Sequence, residues 1–190
     1  EILRAAPHTL GAEAEGVWSA ASLVTVEPGS IYGILANADL PWPTIKLADG
    51  TEARLDQAGY TKWRSAANRA DREAVFQAFW KRVREYERTF GVALFSQVKV
   101  DWFQASTRKY RSALTAALDD DNVPEAVYRT LLAETNASLA TLHRYFKLRG
   151  RLLGVADLRY WDIYPSIVEL DRKFPLAEAK ALTLAGMAPL

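Results

Sequence analysis

There is no cysteine among the 190 residues. Disulfides, thiol nucleophiles and cysteine-ligated metals are therefore excluded within this chain, and a reducing, cytoplasmic setting is the expectation. Histidine is nearly as scarce. His8 and His143 stand far apart in sequence, and neither has a histidine at helical i, i+4 spacing. A catalytic zinc usually takes three protein ligands, mostly histidine with one carboxylate, so no metal site is expected inside the chain. Neither charge sign dominates: 24 basic and 23 acidic side chains leave a net charge of +1. That balance supplies no field to gather a polyanion or an anionic membrane. No apolar run approaches the roughly 18 residues that span a bilayer. Nucleic acid and membrane are thus not expected partners. There is no initiating methionine, no leader pattern at Glu1-Ile2-Leu3-Arg4 and no polar tail around Pro189-Leu190. The expectation is a segment of a longer protein, with the native N-terminus lying elsewhere.

What is present describes a globular lobe. Hydrophobic residues make up 49% of the chain and charged residues 25%, which excludes disorder as a description of the whole. The length suits one domain or one lobe of a larger one. Thr9 reads as the cap of a first helix over residues 10–23, with Glu13 and Glu15 near its positive end. Glu27-Pro28-Gly29 reads as its break, and Ser30 as the cap of a short helix over 31–37. Residues 44–47 and 51–55 alternate around Asp49-Gly50, the pattern of a β-hairpin. Asp56 reads as the cap of a helix to about residue 66.

Val75, Phe79, Val83, Tyr86, Phe90, Leu94 and Val98 then recur every three or four residues, an amphipathic stripe that Phe76 and Trp80 widen. The stripe predicts a long helix from Asp71 to about Leu118 with one break, with Gly91 as a close contact or a bend. Asn122 reads as the cap of the next helix, with Pro124 in its first turn. Val127, Leu131, Thr135, Leu139, Leu142 and Phe146 line that helix, and Gly150 or Gly154 ends it. A last helix is expected over 175–185. The fold class is mostly α: a multi-helix lobe of long antiparallel helices with one small β-hairpin, residues 1–190 forming a single unit.

Four motifs have simple readings. The basic and aromatic residues of 144–151 suit the negative end of a helix better than a nucleic-acid surface. Asn68 to Glu73 reads as a solvated helix start. Asn136-Ala137-Ser138 matches a glycosylation acceptor but falls mid-helix. The acidic run Asp119 to Asp121 lacks the spaced oxygen ligands of a calcium loop. The stretch Leu158-Arg159-Tyr160-Trp161-Asp162-Ile163-Tyr164-Pro165 is less ordinary. It reads either as a packed aromatic corner or as the rim of a peptide cleft, where tyrosines supply both apolar faces and hydroxyls.

Several segments, in order, resemble the part of oligoendopeptidase F that precedes its zinc motif, a branch of the thimet-oligopeptidase-like zinc metallopeptidases. They are Pro7-His8-Thr9-Leu10 with Glu13 and Glu15, Leu35 through Pro41, the Asp49-Gly50 hairpin, and Asn68-Arg69-Ala70-Asp71-Arg72. Phe103 through Leu114, Asn122 through Tyr128, Leu142-His143-Arg144-Tyr145, and Leu153-Gly154 through Tyr160-Trp161-Asp162-Ile163-Tyr164-Pro165 complete the series. The resemblance covers essentially the whole chain. It implies a helical lobe that walls a deep channel for short peptides, in a parent enzyme that carries zinc.

The chemistry of that family rests on a His-Glu-x-x-His helix and a downstream glutamate, and neither occurs here. No catalytic residue is carried over, and no cofactor is expected in this segment. Tyr145, Arg149, Tyr160, Asp162 and Tyr164 are the candidates to line the substrate channel. The partners implied are oligopeptides and the missing catalytic part of the same chain. An uncovered apolar face around Phe76, Phe79, Trp80, Val83 and Phe90 is expected to drive self-association. The alternative is a stand-alone helical interaction module.

Overall fold

The computed structural model describes residues 2–168 and 174–187. Their chain begins with a short helix α1 (Ile2–Ala5), a 3-10 turn (Ala6–His8), and helices α2 (Ala12–Thr25) and α3 (Glu27–Ile34), the last running into a π-helical turn (Leu35–Asp39). A hairpin of β1 (Thr44–Lys46) and β2 (Glu52–Arg54) follows, then α4 (Gln57–Trp63), α5 (Arg69–Glu85), α6 (Glu87–Thr107) and α7 (Ala113–Asp119). Helices α8 (Glu125–Ala137) and α9 (Leu139–Leu152), a 3-10 turn (Tyr160–Asp162) and α10 (Leu176–Met187) complete the order. The fold is mostly helical with one small antiparallel hairpin, as the pattern predicts. Pro189 and Leu190 lie outside the described residues.

The hairpin pairs Thr44 with Arg54, Ile45 with Ala53 and Lys46 with Glu52. Gly50 turns it with φ +88°, a conformation that costs a residue with a Cβ. The Asp49 carboxylate accepts the Thr51 N–H at 2.8 Å, which holds its pKa below the usual range. A hairpin this short is marginal alone. Here it lies against α4 and α5, and the Asp71 carboxylate accepts the Ala48 N–H at 2.9 Å. Between them sits the core: Leu47, Ala53, Leu55, Tyr60, Val75 and Phe79, flanked by Trp42, Trp63 and Phe76. Burying Leu55 or Val75 contributes roughly 1.5–3 kcal/mol each.

Asp56 caps α4 as expected, accepting the Gly59 N–H at 2.8 Å. Asn68 does the same for α5 through the amides of Ala70 and Asp71. Other boundaries differ from the sequence pattern. Helix α2 starts after Gly11, not Thr9, whose hydroxyl donates back to Ala5 O. The first helix does end just before Glu27-Pro28-Gly29, at Thr25, but that triplet opens α3 itself, because proline in a first helical turn forfeits no hydrogen bond. The long stripe breaks at Tyr86, where the amide tightens onto Val83 O three residues back. Gly91 lies inside α6 facing open space.

Three helices end by one device. After α6, Tyr110 N donates to Ala105 O and Lys109 N to Ser106 O, with Lys109 at φ +61°. After α7, Val123 N donates to Leu118 O and Asn122 N to Asp119 O, with Asn122 at φ +52°. After α9, Val155 N donates to Gly150 O and Gly154 N to Arg151 O, with Gly154 at φ +65°. Each is a left-handed stop that satisfies carbonyls the helix leaves over. Asn122 therefore closes α7, and the residue that caps α8 is Pro124. The glycosylation-like triplet falls at the junction of α8 and α9, not mid-helix.

The N-terminal helices are tied to the α6–α7 corner. Glu15 receives both forks of Arg108 at 3.0 Å, and that pair lowers its pKa. His8 stacks on Tyr110 at 3.6 Å, and its Nδ1 donates to Arg108 O. Tyr110 in turn donates to Asp119 at 2.8 Å.

Candidate functional site

The 3-10 turn at Tyr160–Asp162 is held against the start of α5 by charge. Arg69 and Arg72 are three apart in the first turns of α5 and so share a face. Asp162, 0% exposed, accepts from Arg69 Nε at 3.0 Å and Nη2 at 2.8 Å, from Arg72 Nη2 at 3.1 Å, and from the Arg159 amide at 3.0 Å. Burial alone raises a carboxyl pKa; the Arg69, Arg159 and Arg72 donors outweigh it and bring Asp162 to about 2. Asn68 to Asp71 stays near solvent, but Arg72 is only 4% exposed, so the reading of this segment as a solvated helix start fails at Arg72.

One carboxylate does not satisfy three guanidinium groups, and carbonyl oxygens take the remaining donors. Arg72 donates to Ala66 O, Ala67 O and Trp161 O at 2.8–2.9 Å. Arg149, 4% exposed, donates to Asp162 O at 2.8 Å and to Pro165 O.

Of the five candidate channel residues, Arg149 and Asp162 are thus buried and fully engaged with protein partners. Tyr145, Tyr160 and Tyr164 keep accessible surface. The Tyr145 hydroxyl accepts from Arg149 at 3.3 Å. The Tyr160 and Tyr164 hydroxyls lie 3.3 Å apart, and that contact, first of all, raises the Tyr160 pKa. Phe76 of α5 joins the group, its ring 5.3 Å from Tyr160 and 5.4 Å from Trp161.

The apolar face expected around Phe76, Phe79, Trp80, Val83 and Phe90 is not left uncovered as a whole. Phe79 is buried, Phe76 and Val83 pack against the core, Phe90 is half-buried and Trp80 stays exposed. All five line a cleft that the sequence did not foreshadow. A cleft of about 1340 Å³ opens between the end of α3, α4, α5 and the start of α6. Tyr32, Trp42, Tyr60, Phe79, Trp80 and Phe90 supply its aromatic lining, with Lys81, Arg84 and Glu87 among the polar residues. Its wall is ordered by ring contacts: Phe79 stacks on Tyr60 at 4.1 Å and on Trp42 at 5.0 Å. Trp80 Nε1 donates to Tyr60 Oη at 3.2 Å, while burial pushes the Tyr60 phenol pKa up. Large apolar clefts with a few polar groups are the usual form of a binding site. Phe76 and Trp80 were visible as an unusually wide stripe. Tyr32 and Trp42 come from distant elements, and no local pattern connects them to it.

No group of three or more His, Cys, Asp or Glu side chains able to hold a metal occurs among the described residues.

The family model of peptidase family M3 matches residues 63–186, and that of oligopeptidase F matches residues 1–41. The chain is 35% identical to oligopeptidase PepF of Bacillus subtilis over its whole length, covering 28% of that protein. It is 34% identical to group B oligopeptidase PepB of Streptococcus agalactiae, covering 91% of this chain and 29% of the relative. In three dimensions it resembles the crystal structure of oligoendopeptidase-F from Enterococcus faecium, with TM-score 0.85 and 33% identity over 88% of this chain and 33% of that one. The chain therefore spans under a third of the length of these relatives.

Proposed function

The chain belongs to peptidase family M3, in its oligopeptidase F branch, and from that membership we propose that it is a non-catalytic helical lobe of a zinc-dependent oligopeptidase, forming part of the wall of its peptide channel. The observation that carries the reading is surface. The chain exposes 14222 Å², against about 9,000 Å² for a compact monomer of this size, an excess of roughly 5,000 Å². A standard interface covers only about 800 Å² on each partner. An excess several times larger calls for cover by a large, permanent neighbour, and the rest of the same polypeptide is the economical one. Trp102, 68% exposed, with Phe95 and Val98 on the same face of α6, and Val127, Leu131 and Leu142 along α8 and α9, await that cover.

Among the described residues no three ligands come together, and that donor set does not fit zinc. The metal of the complete enzyme would be held by residues outside the chain, and no chemical step is assigned to the residues here. Their proposed work is binding. The aromatic cleft supplies an apolar wall for peptide side chains. Tyr145, Tyr160 and Tyr164 present hydroxyls, and Arg149 and Asp162 hold those tyrosines in place from behind. A channel walled by helices admits short extended peptides and excludes folded proteins by width.

The test compares the complete polypeptide with the 190-residue chain, using a quenched fluorescent peptide. The complete protein is expected to cleave it, to stop on chelation and to recover with zinc, while the chain alone stays inert. Chelator-sensitive cleavage by the chain alone, or an inert complete protein, would overturn the reading.

A further inference from the structure

Most arginines that leave solvent in this chain find oxygen. Arg69 and Arg72 meet Asp162, Arg108 meets Glu15, and Arg149 meets carbonyls. Arg64 differs. It is partly buried at the C-terminal end of α4, and no side-chain hydrogen bond or ion pair engages its guanidinium among the described residues. That group instead lies 3.9 Å from the centre of the Tyr164 ring and 5.8 Å from that of Tyr60. The face of an aromatic ring holds a guanidinium in place while leaving its in-plane N–H donors open.

The neighbours are also donors. The Tyr160 and Tyr164 hydroxyls contact each other at 3.3 Å, so one proton is used between them and the other remains free. Tyr60 Oη accepts from Trp80, and its own proton is also uncommitted. A guanidinium and two uncommitted phenolic protons thus lie around the Tyr164 and Tyr60 rings with no anionic acceptor paired to them among the described residues. The floor beneath is apolar, since Phe76 packs against Tyr160. Tyr60 and Phe76 also line the aromatic cleft, so the donor cluster, which contacts both, adjoins it.

We propose that Arg64, with the Tyr160 and Tyr164 hydroxyls, forms a carboxylate-anchoring subsite beside the aromatic cleft. A carboxylate is the planar acceptor that matches a guanidinium fork, and its two oxygens accept the fork and a phenol together. A short peptide whose side chains occupy the cleft offers such a group at its C-terminus, or in a terminal Asp or Glu side chain. This assignment rests on the peptide-binding reading above.

The complete polypeptide and its Arg64→Gln and Arg64→Lys variants, matched for Tm, would be assayed with one pentapeptide in three forms. These are the free acid, the C-terminal amide, and the amide with glutamate as the last residue. The wild type is expected to show a KM for the free acid about tenfold below that for the plain amide, the scale of one charge-assisted contact. In Arg64→Gln that ratio should fall to about one, with part of it restored in Arg64→Lys. Preference for the glutamate amide over the free acid would assign the carboxylate to a side chain. Equal KM values for all three forms in the wild type, or an unchanged ratio in Arg64→Gln, would overturn the subsite. Fluorescence titration of the metal-depleted protein with the same peptides separates the two ideas. Arg64-dependent binding without cleavage would keep the subsite and remove the peptidase reading. Cleavage with no acid–amide difference would do the reverse, and neither binding nor cleavage would remove both.

Discussion

Arg72 and Asp162, ninety residues apart in sequence, meet at 3.1 Å with both side chains closed off from water. Through this contact the 3-10 turn carrying Tyr160 and the end of α9 are fixed to the start of α5, beside the same helix that lines the cleft.

Removing the carboxylate is therefore expected to be costly. Asp162→Asn would leave Arg72 buried without its counter-ion and take two donors' partner from Arg69. Breaking a buried pair on one side typically costs about 3–5 kcal/mol. Arg69→Met should cost far less, because Arg69 is partly exposed and Arg72 still holds Asp162. Urea denaturation compares the two; a loss under about 1 kcal/mol for Asp162→Asn would show that the network does not hold the turn.

The same carboxylate sets the acid limb of stability. Its folded pKa of about 2 lies below the ordinary value of 3.8. The stabilisation is complete above pH 4 and is lost as pH falls from about 4 toward 2. The shift corresponds to roughly 2 kcal/mol over that window. Glu15, Asp49, Asp119 and Glu125 are lowered as well and act in the same direction. Denaturation midpoints measured at pH 5, 4, 3 and 2 should fall steadily. In Asp162→Asn the fall should be shallower, and an equal slope in both proteins would refute the assignment.

Lys109 occupies a left-handed conformation that glycine adopts without strain. Lys109→Gly is expected to stabilise the chain by roughly 0.5–1 kcal/mol, since relief of strain slightly exceeds the entropy glycine adds to the unfolded state. Gly154→Ala, at φ +65°, should destabilise by about 1 kcal/mol. Thermal melts of the two variants moving in the same direction would contradict the shared stop.

The uncovered faces of α6, α8 and α9 predict how the 190-residue chain behaves in isolation. Sedimentation at low micromolar concentration should find self-association, and a dye that reports apolar surface should fluoresce strongly with it. The complete polypeptide should show neither to the same degree. A clean monomer that leaves the dye dark would count against the lobe reading.

Signals that act locally were legible in the sequence. The Asp49-Gly50 turn, the Asp56 cap and the apolar period through Val75 and Phe79 all state their structure within a few residues. The stop after α6 was not legible, because lysine carries no left-handed preference and only the tertiary setting holds Lys109 there. Asn122 carried an ambiguous signal, being at home both at helix starts and in left-handed stops. The aromatic stretch at Tyr160 to Tyr164 stood out by composition, and the structure places Tyr160, Asp162 and Tyr164 together. Arg69 and Arg72 looked like solvent-facing charges, since their carboxylate lies about ninety residues further on. The cleft joins α3, α4, α5 and α6, and long-range packing of that kind leaves no trace in a window of ten residues.

The core around Leu47, Ala53, Leu55, Tyr60, Val75 and Phe79 spans a short stretch of chain. During synthesis it has all its parts as soon as α5 leaves the ribosome. Asp162 emerges later, after roughly 4–15 s at ordinary elongation rates. Until then Arg72 has no counter-ion, and the tyrosines beside it have not been made. The nascent chain thus passes through a stage with a closed hairpin core and an unlatched α5. Pausing between α5 and the aromatic turn would lengthen the life of that half-built species, and a chaperone that binds exposed aromatic rings would find Phe76 and Trp80 there.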